Sequence, residues 1–102
     1  MSRVTFEGKL LSETVLETFD FTSRLALSET ISTAAVTATV YSGVDTASNQ
    51  VVGTAAITGQ KVTQKIGGGL LGVTYLLKCS ITTSLGQTLS LSAFLVVVPD
   101  VN

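Results

Sequence analysis

Three groups of residues have types or spacings that could support chemistry: a glycine cluster, one cysteine and a few acidic side chains. In the cluster, Gly67, Gly69 and Gly72 match the G-x-G-x-x-G pattern of dinucleotide-binding loops. That pattern requires a helix after the glycines, whereas residues 73–83 alternate apolar and polar side chains as a strand does. The next acidic residue is Asp100, too distant for the ribose contact. We therefore interpret Gly69 and Gly72 as structural residues of a connection between strands.

The cysteine and the carboxylates favour structural roles as well. Cys79 lies on the apolar face of a predicted strand, and the chain has no histidine to activate its thiol. Without histidine, Ser-His-Asp triads and histidine metal sites are excluded. Glu13, Glu17 and Asp20 lack the spacing of a calcium loop. The sequence thus predicts no enzyme, no catalytic residue, no metal site and no cofactor.

Composition limits the class of protein further. The chain has 102 residues, enough for one domain, and 33 of them are Thr, Val or Ile, which favours an all-β domain. Six Lys and Arg at a net charge of −1 form no basic stripe, so nucleic acid is not expected as a partner. The longest apolar run, residues 93–98, is far shorter than the roughly 20 residues of a membrane helix. We expect no membrane partner and no small-molecule substrate.

The pattern of alternation predicts about seven strands. Strands are expected over residues 30–41, 51–57, 61–66, 73–83 and 89–98, and residues 83–87 with Gly86 are typical of a hairpin loop. Turn signals at such intervals predict an immunoglobulin/fibronectin-like β-sandwich. Tyr75, shortly after Gly72 at the head of a strand, resembles the tyrosine corner of these folds.

The N-terminal segment differs from the remainder of the chain. Residues 1–17 hold scattered charges without sustained alternation, so we predict an N-terminal extended arm over 1–17 and the sandwich domain over 18–102. A helix is the alternative, because apolar Leu11 and Val15 are four residues apart. Both apolar residues are candidates for protein contacts.

The last predicted strand is apolar on both faces. Phe94, Val96 and Val98 lie on the face opposite to Leu95 and Val97. One face of a sandwich strand normally meets water, so this strand either lies beneath the arm of its own chain or meets another subunit. Phe94, Val96 and Val98 are therefore candidate interface residues.

Several motifs resemble those of small structural proteins of tailed-bacteriophage virions, the phage fibre–tail adaptors among them. The motifs cover about residues 9–98 and are Lys9 with Glu13, Phe19-Asp20-Phe21-Thr22, Glu29-Thr30-Ile31, Gly43-Val44-Asp45, Gly68-Gly69-Leu70-Leu71-Gly72-Val73-Thr74-Tyr75 and Thr82-Thr83-Ser84-Leu85-Gly86. The resemblance implies a noncatalytic, immunoglobulin-like module repeated around a ring, with Asp20 in a structural position. It further implies that the loops with Asp45, Leu70 and Leu71 touch tail or fibre proteins.

On this resemblance we expect a virion protein, assembled in the host bacterial cytoplasm. It would link the tail or a portal-proximal ring to fibres through protein–protein contacts, as a homo-oligomer in a symmetric ring. A capsid decoration or cement protein and a free-standing immunoglobulin-like binding module are the alternatives.

Overall fold

In a computed structural model the chain is described over residues 3–5, 9–10, 13–46 and 50–98, with side chains from residue 13 onward; Leu11 lies outside the described residues. The strands are β1 (Arg3–Thr5), β2 (Lys9–Leu10), β3 (Val15–Asp20), β4 (Ile31–Ser42), β5 (Val51–Thr58), β6 (Lys61–Ile66), β7 (Thr74–Thr83) and β8 (Thr88–Val98). A 3-10 turn, Thr22–Arg24, follows β3. In this part of the chain no helix has the length and apolar character needed to cross a membrane.

The strands form two sheets, which confirms the all-β sandwich. The first sheet has the order β1–β8–β7–β4, with β2 also paired to β8, and the second has the order β3–β6–β5. Because β1 and β2 lie one after the other along the same side of β8, the eight strands occupy seven positions. The predicted hairpin is confirmed, since β7 and β8 pair antiparallel in continuous register from Thr74↔Val96 to Thr82↔Thr88.

The core follows from the alternation along the central strands. The inward-facing residues of β7 and of the second half of β8 are buried, and they meet buried residues of β3 and β6 from the other sheet. Each fully buried aliphatic side chain of this kind stabilises the fold by about 1.5–3 kcal/mol relative to exposure. The inward-facing core residues are Tyr75, Leu77, Cys79, Ile81, Ala93, Leu95 and Val97 from the first sheet and Phe19, Val62 and Ile66 from the second.

The N-terminal residues belong to both sheets. Arg3–Thr5 and Lys9–Leu10 run parallel to β8 in the first sheet. The chain then enters the second sheet, where Val15 lies opposite Ile66 and packs half-buried against the core. Strand β3 (Val15–Asp20) therefore crosses the boundary predicted at residue 17. The division into an arm over 1–17 and a domain over 18–102 stays a prediction.

A bulge interrupts β5 and is filled by a buried glutamine. The pairing of β5 with β6 shifts between Val52 and Ala56, and Gly53 adopts φ 71° there. Buried Gln64 of β6 donates from its Nε2 to the carbonyl oxygens of Val52 at 2.8 Å and Lys65 at 3.1 Å. The glutamine amide thus satisfies backbone acceptors that a regular ladder would pair.

Candidate partner-binding surfaces

Tyr75 ties two loops together at one end of the sandwich. Its buried side chain reaches out of the core, and its hydroxyl accepts a hydrogen bond from the Leu70 backbone N–H at 2.8 Å and donates one to Asp45 Oδ2 at 2.7 Å. Burial and the Asp45 acceptor raise the pKa of Tyr75, so the hydroxyl keeps its proton for this bond. The loop before β5 and the loop before β7 are therefore fixed to each other.

Gly69 allows the second of these loops to lie against the sheet. It adopts φ +100°, and a Cβ placed on it would be 2.7 Å from Val97 Cγ2. Only glycine fits this approach without displacing the Val97 side chain. Gly72, in the turn before β7, adopts φ +76°, and no atom lies within 4 Å of the position of a Cβ. Glycine is therefore favoured at residue 72 by the backbone conformation alone. Both predicted structural glycines thus occupy left-handed backbone positions.

The two loops present apolar side chains to solvent. Leu70 and Leu71 are 49% and 50% exposed, and Val44, next to Asp45, is exposed as well. Val44, Leu70 and Leu71 together are called the Leu70 end below. An exposed apolar group held on fixed backbone is typical of a protein-contact site, because little conformational entropy is lost on binding.

The opposite end of the sandwich is held by a buried carboxylate. Glu29 accepts hydrogen bonds from the Thr83 hydroxyl and from the Ala26 backbone N–H at 3.0 Å. These two donors lower the pKa of Glu29, the Thr83 hydroxyl having the larger effect. Gln60 Nε2 donates to the carbonyl oxygens of Ala26 at 3.0 Å and Glu29 at 2.9 Å. Three loops are joined in this way.

This second end also presents leucines. Leu27 is 102% exposed and Leu85 is 66% exposed. Their loops are connected by two hydrogen bonds, from Ser84 N to Thr30 O at 2.8 Å and from Thr30 N to Ser84 Oγ at 3.0 Å. Leu27 and Leu85 are called the Leu27 end. The molecule is 44 Å along its longest axis, and β7 runs from the Leu70 end to the Leu27 end.

A third apolar surface lies on the outer face of the first sheet. Phe94, Val96 and Val98 are half-exposed there, and Phe94 lies opposite half-exposed Leu76 of β7. The ring of Tyr41, from β4, has its centroid 4.5 Å from that of Phe94. These five residues are called the sheet patch.

The remainder of that outer face is polar. Thr33 and Thr82 share a hydrogen bond of 2.6 Å, and Ser80 and Ser90 share one of 3.1 Å. The apolar residues are therefore confined to the half of the face nearer the Leu70 end, where β7 begins and β8 ends.

The other predicted site residues have structural positions. Cys79 is fully buried, and burial raises the pKa of its thiol to about 12, so it carries no thiolate at neutral pH. Asp20 is exposed and accepts a hydrogen bond from the Thr22 backbone N–H at 2.9 Å, which begins the 3-10 turn. Gly86 adopts φ 80° in the β7–β8 hairpin. Among the residues with described side chains, no group of His, Cys, Asp and Glu is arranged to hold a metal ion.

Several of these residues are not apparent from the sequence. Leu85 is a single leucine among polar residues, and Leu27 ends the short apolar run Leu25-Ala26-Leu27. Neither pattern distinguishes an exposed side chain from a buried one. Glu29 stands out in the sequence only as part of the motif Glu29-Thr30-Ile31, and no local pattern indicates that it is buried. Leu76 breaks the alternation of residues 73–83, and this exception extends the sheet patch.

These features define a β-sandwich protein with apolar surfaces at its two ends and on one sheet. The class agrees with the comparison with known families, in which residues 9–96 match the family described as podophage GP4 fiber-tail adaptor protein gp77. The chain belongs to this family of phage tail adaptors, which confirms the resemblance seen in the sequence. No curated protein and no solved structure matches the chain significantly.

Proposed function

We propose that the protein is a noncatalytic adaptor that links the tail, or a ring near the portal, to the fibres of a phage virion. The observation that carries this proposal is the match to a fibre–tail adaptor family over residues 9–96. The adaptor contacts tail or fibre proteins through its apolar surfaces and is a component of the virion. Several copies act together in a symmetric ring.

The positions of the apolar surfaces support a bridging role. An adaptor must bind two partners at once, so it needs two contact sites that do not overlap. The Leu70 end and the Leu27 end lie at opposite ends of β7, a strand of ten residues. Ten residues of strand span about 30 Å, which leaves room for a different protein at each end. Both ends are fixed by hydrogen bonds of buried side chains, Tyr75 at one and Glu29 at the other.

We further propose that the sandwich is immunoglobulin-like. One sheet of that fold has three strands in the order of the third, sixth and seventh, and the other contains the second, fifth and fourth. The strand orders β4–β7–β8 and β3–β6–β5 support this assignment when β1 and β2 are counted as the first strand. This first strand differs from that arrangement in pairing with β8 and not with β3. The bond from the Leu70 N–H to the Tyr75 hydroxyl, five residues downstream, supports a tyrosine corner.

The adaptor role is tested by separating the two ends with matched double variants. Leu70→Ser with Leu71→Ser alters one end, and Leu27→Ser with Leu85→Ser alters the other. Both variants are to be assayed for binding to purified tail and fibre proteins of the parent phage. We expect each variant to lose one partner and to retain the other, with an unchanged unfolding midpoint because all four side chains are exposed.

Two results would contradict the proposal. If both double variants retain both partners, the ends are not contact sites. If the protein is bound in the virion in as many copies as the shell has symmetry sites, it is a capsid decoration protein and not a tail adaptor. Copy number is measured by quantitative mass spectrometry of purified virions.

A further inference from the structure

The two sheets have four outer edges, and three of them are protected against pairing with another strand. The first sheet ends on one side in β1 and β2, two short segments of three and two residues that are paired with β8. The edge strand β5 is broken by its bulge. The edge strand β3 carries two carboxylates, Glu17 and Asp20. Paired segments, bulges and charges are the usual means by which proteins block edge-to-edge association.

The fourth edge, that of β4, has none of these protections. Its pairing with β7 is continuous from Thr33 to Val40, with shifts only outside this stretch. The stretch has no charged residue, no proline and no glycine. No described strand pairs with its other side. A long, uncharged and regular edge of this kind is a template for a further strand.

The side chains of β4 that face the core are incompletely covered. Ala34, Val36, Ala38 and Val40 point inward, yet all four are only partly buried, whereas the inward residues of the neighbouring strand β7 are buried. A strand added at this edge would remove these apolar groups from water. The edge therefore has both unpaired backbone and apolar surface to offer a partner.

We propose that β4 pairs antiparallel with β4 of a second copy of this chain, with Thr37 on the two-fold axis. This inference goes beyond the adaptor role, does not depend on it and concerns the free protein. An antiparallel pair points the Leu70 ends of its two copies in opposite directions, whereas the copies of a ring around a tail all point the same way. The two four-strand paths of the first sheet would join into one continuous sheet, with the inward faces of both copies on the same side.

The sizes of the inward side chains select this register. With Thr37 opposite Thr37, Ala34 lies opposite Val40 and Val36 lies opposite Ala38, so that every small side chain meets a larger one. A slip of one residue would turn the inward face of one copy outward. Centring the pair on Val36 or on Ala38 would place alanine opposite alanine and valine opposite valine.

Charge also permits the pairing. In an antiparallel self-pair a charged residue on the two-fold axis lies directly opposite its own copy, and one next to the axis lies diagonal to its copy. Like charges placed together in this way are destabilising. Residues 33–40 contain no charged side chain, and the nearest lysine, Lys78, lies across from Thr37 on the neighbouring strand β7. A second copy can therefore pair with this edge without placing like charges opposite each other in the new strand pair.

The register is tested by disulfide cross-linking of the full chain. In antiparallel pairs opposite Cα atoms are about 4.5–5.5 Å apart, within reach of a disulfide. Thr37→Cys should therefore form a covalent dimer under mild copper–phenanthroline oxidation. Ala35→Cys and Thr39→Cys should each fail alone, because two copies of either residue would be about 13 Å apart along the strand. Mixing these two variants should give a mixed dimer, since residues 35 and 39 are opposite each other.

Association without a covalent cross-link is measured by sedimentation velocity over a range of protein concentrations. The unsubstituted chain should dimerise, and Thr37→Lys should shift the equilibrium to monomer, because two lysines would meet on the axis beside the two copies of Lys78. Thr54→Lys, on an exposed position of β5, is the control and should dimerise normally. Circular dichroism verifies that each variant is folded.

The proposal is overturned if the unsubstituted chain stays monomeric at every concentration. It is also overturned if the three single cysteine variants cross-link equally, because that pattern would indicate random collision. Native Cys79 does not interfere, since its thiol is buried.

Discussion

The Tyr75 hydroxyl donates a hydrogen bond to Asp45 Oδ2 at 2.7 Å, although the two residues are separated by 30 positions in the chain. The Tyr75 hydroxyl oxygen also accepts a hydrogen bond from the Leu70 N–H. One buried phenol therefore determines how two loops meet, because it binds exposed Leu70 through its backbone and Asp45, the neighbour of exposed Val44.

Tyr75→Phe should destabilise the protein by about 1–3 kcal/mol, because the Leu70 N–H and Asp45 each lose a partner in a partly buried site. Urea unfolding measures the change. Tyr41→Phe is the matched control, since Tyr41 is exposed and keeps its ring contact with Phe94. It should alter stability by less than about 0.5 kcal/mol. Equal effects of the two variants would show that the Tyr75 hydroxyl does not hold the loops.

Gly69→Ala should be more destabilising than Gly72→Ala. Both glycines have positive φ, so both variants incur a backbone cost of about 1–2 kcal/mol. Only the alanine at residue 69 would also meet Val97, where its Cβ would lie 2.7 Å from Cγ2. The difference between the two unfolding free energies therefore isolates the close approach, and a difference of zero would mean that the loop moves freely away from β8.

The residues that could be predicted from the sequence are those whose role depends on periodicity. Alternation predicted the long strands and the buried faces of β7 and β8, because successive side chains on a strand point to opposite faces of the sheet. Cys79 and Leu95 are buried as alternation requires. The phage resemblance depended on turn motifs, which are local and thus readable in one sequence.

The features that could not be predicted depend on contacts between distant segments. Gln64 fills a bulge in β5, and Glu29 accepts from Thr83, 54 residues away. A single sequence does not indicate which polar residue is buried, because burial is decided by the pairing of the two sheets. The open edge of β4 is another such feature, since edge position follows from strand order and not from local pattern.

Glu29 should make stability depend on acid pH. Its pKa in the folded protein is lowered from the ordinary 4.5 by the Thr83 hydroxyl and the Ala26 N–H. The stability that it contributes is present above pH 4.5 and is lost as the pH falls through the folded-state pKa. Unfolding midpoints between pH 7 and about 3 should therefore fall steeply for the parent chain and less steeply for Glu29→Gln.

Asp20 provides the control for this experiment, because its pKa is also lowered, mainly by the Thr22 side chain. Comparing Asp20→Asn with the double variant Asp20→Asn and Glu29→Gln separates the contributions of the two carboxylates to the pH dependence of stability. An unchanged pH dependence on adding Glu29→Gln would show that Glu29 is not linked to folding.

Phe94→Ser should preserve folding and weaken association if the sheet patch is an interface. Phe94 is half-exposed, so its loss should cost less stability than the loss of its neighbour Leu95, which is fully buried. Leu95→Ala should cost about 2–5 kcal/mol, as other large-to-small core changes do. Urea unfolding and co-purification with tail proteins measure the two properties. A loss of stability at Phe94 as large as that at Leu95 would place the patch in the core of the monomer.

Deleting residues 1–12 should leave a folded sandwich that has lost its assembly contacts. The deletion removes β1 and β2 from the outer edge of β8 and keeps β3 complete. Deleting residues 1–17 should be more damaging, because it also removes Val15, which packs against the core opposite Ile66. Thermal unfolding of both truncated chains, with light scattering to follow association, measures these effects. If the shorter deletion already unfolds the protein, the N-terminal residues are part of the cooperative fold and not an arm.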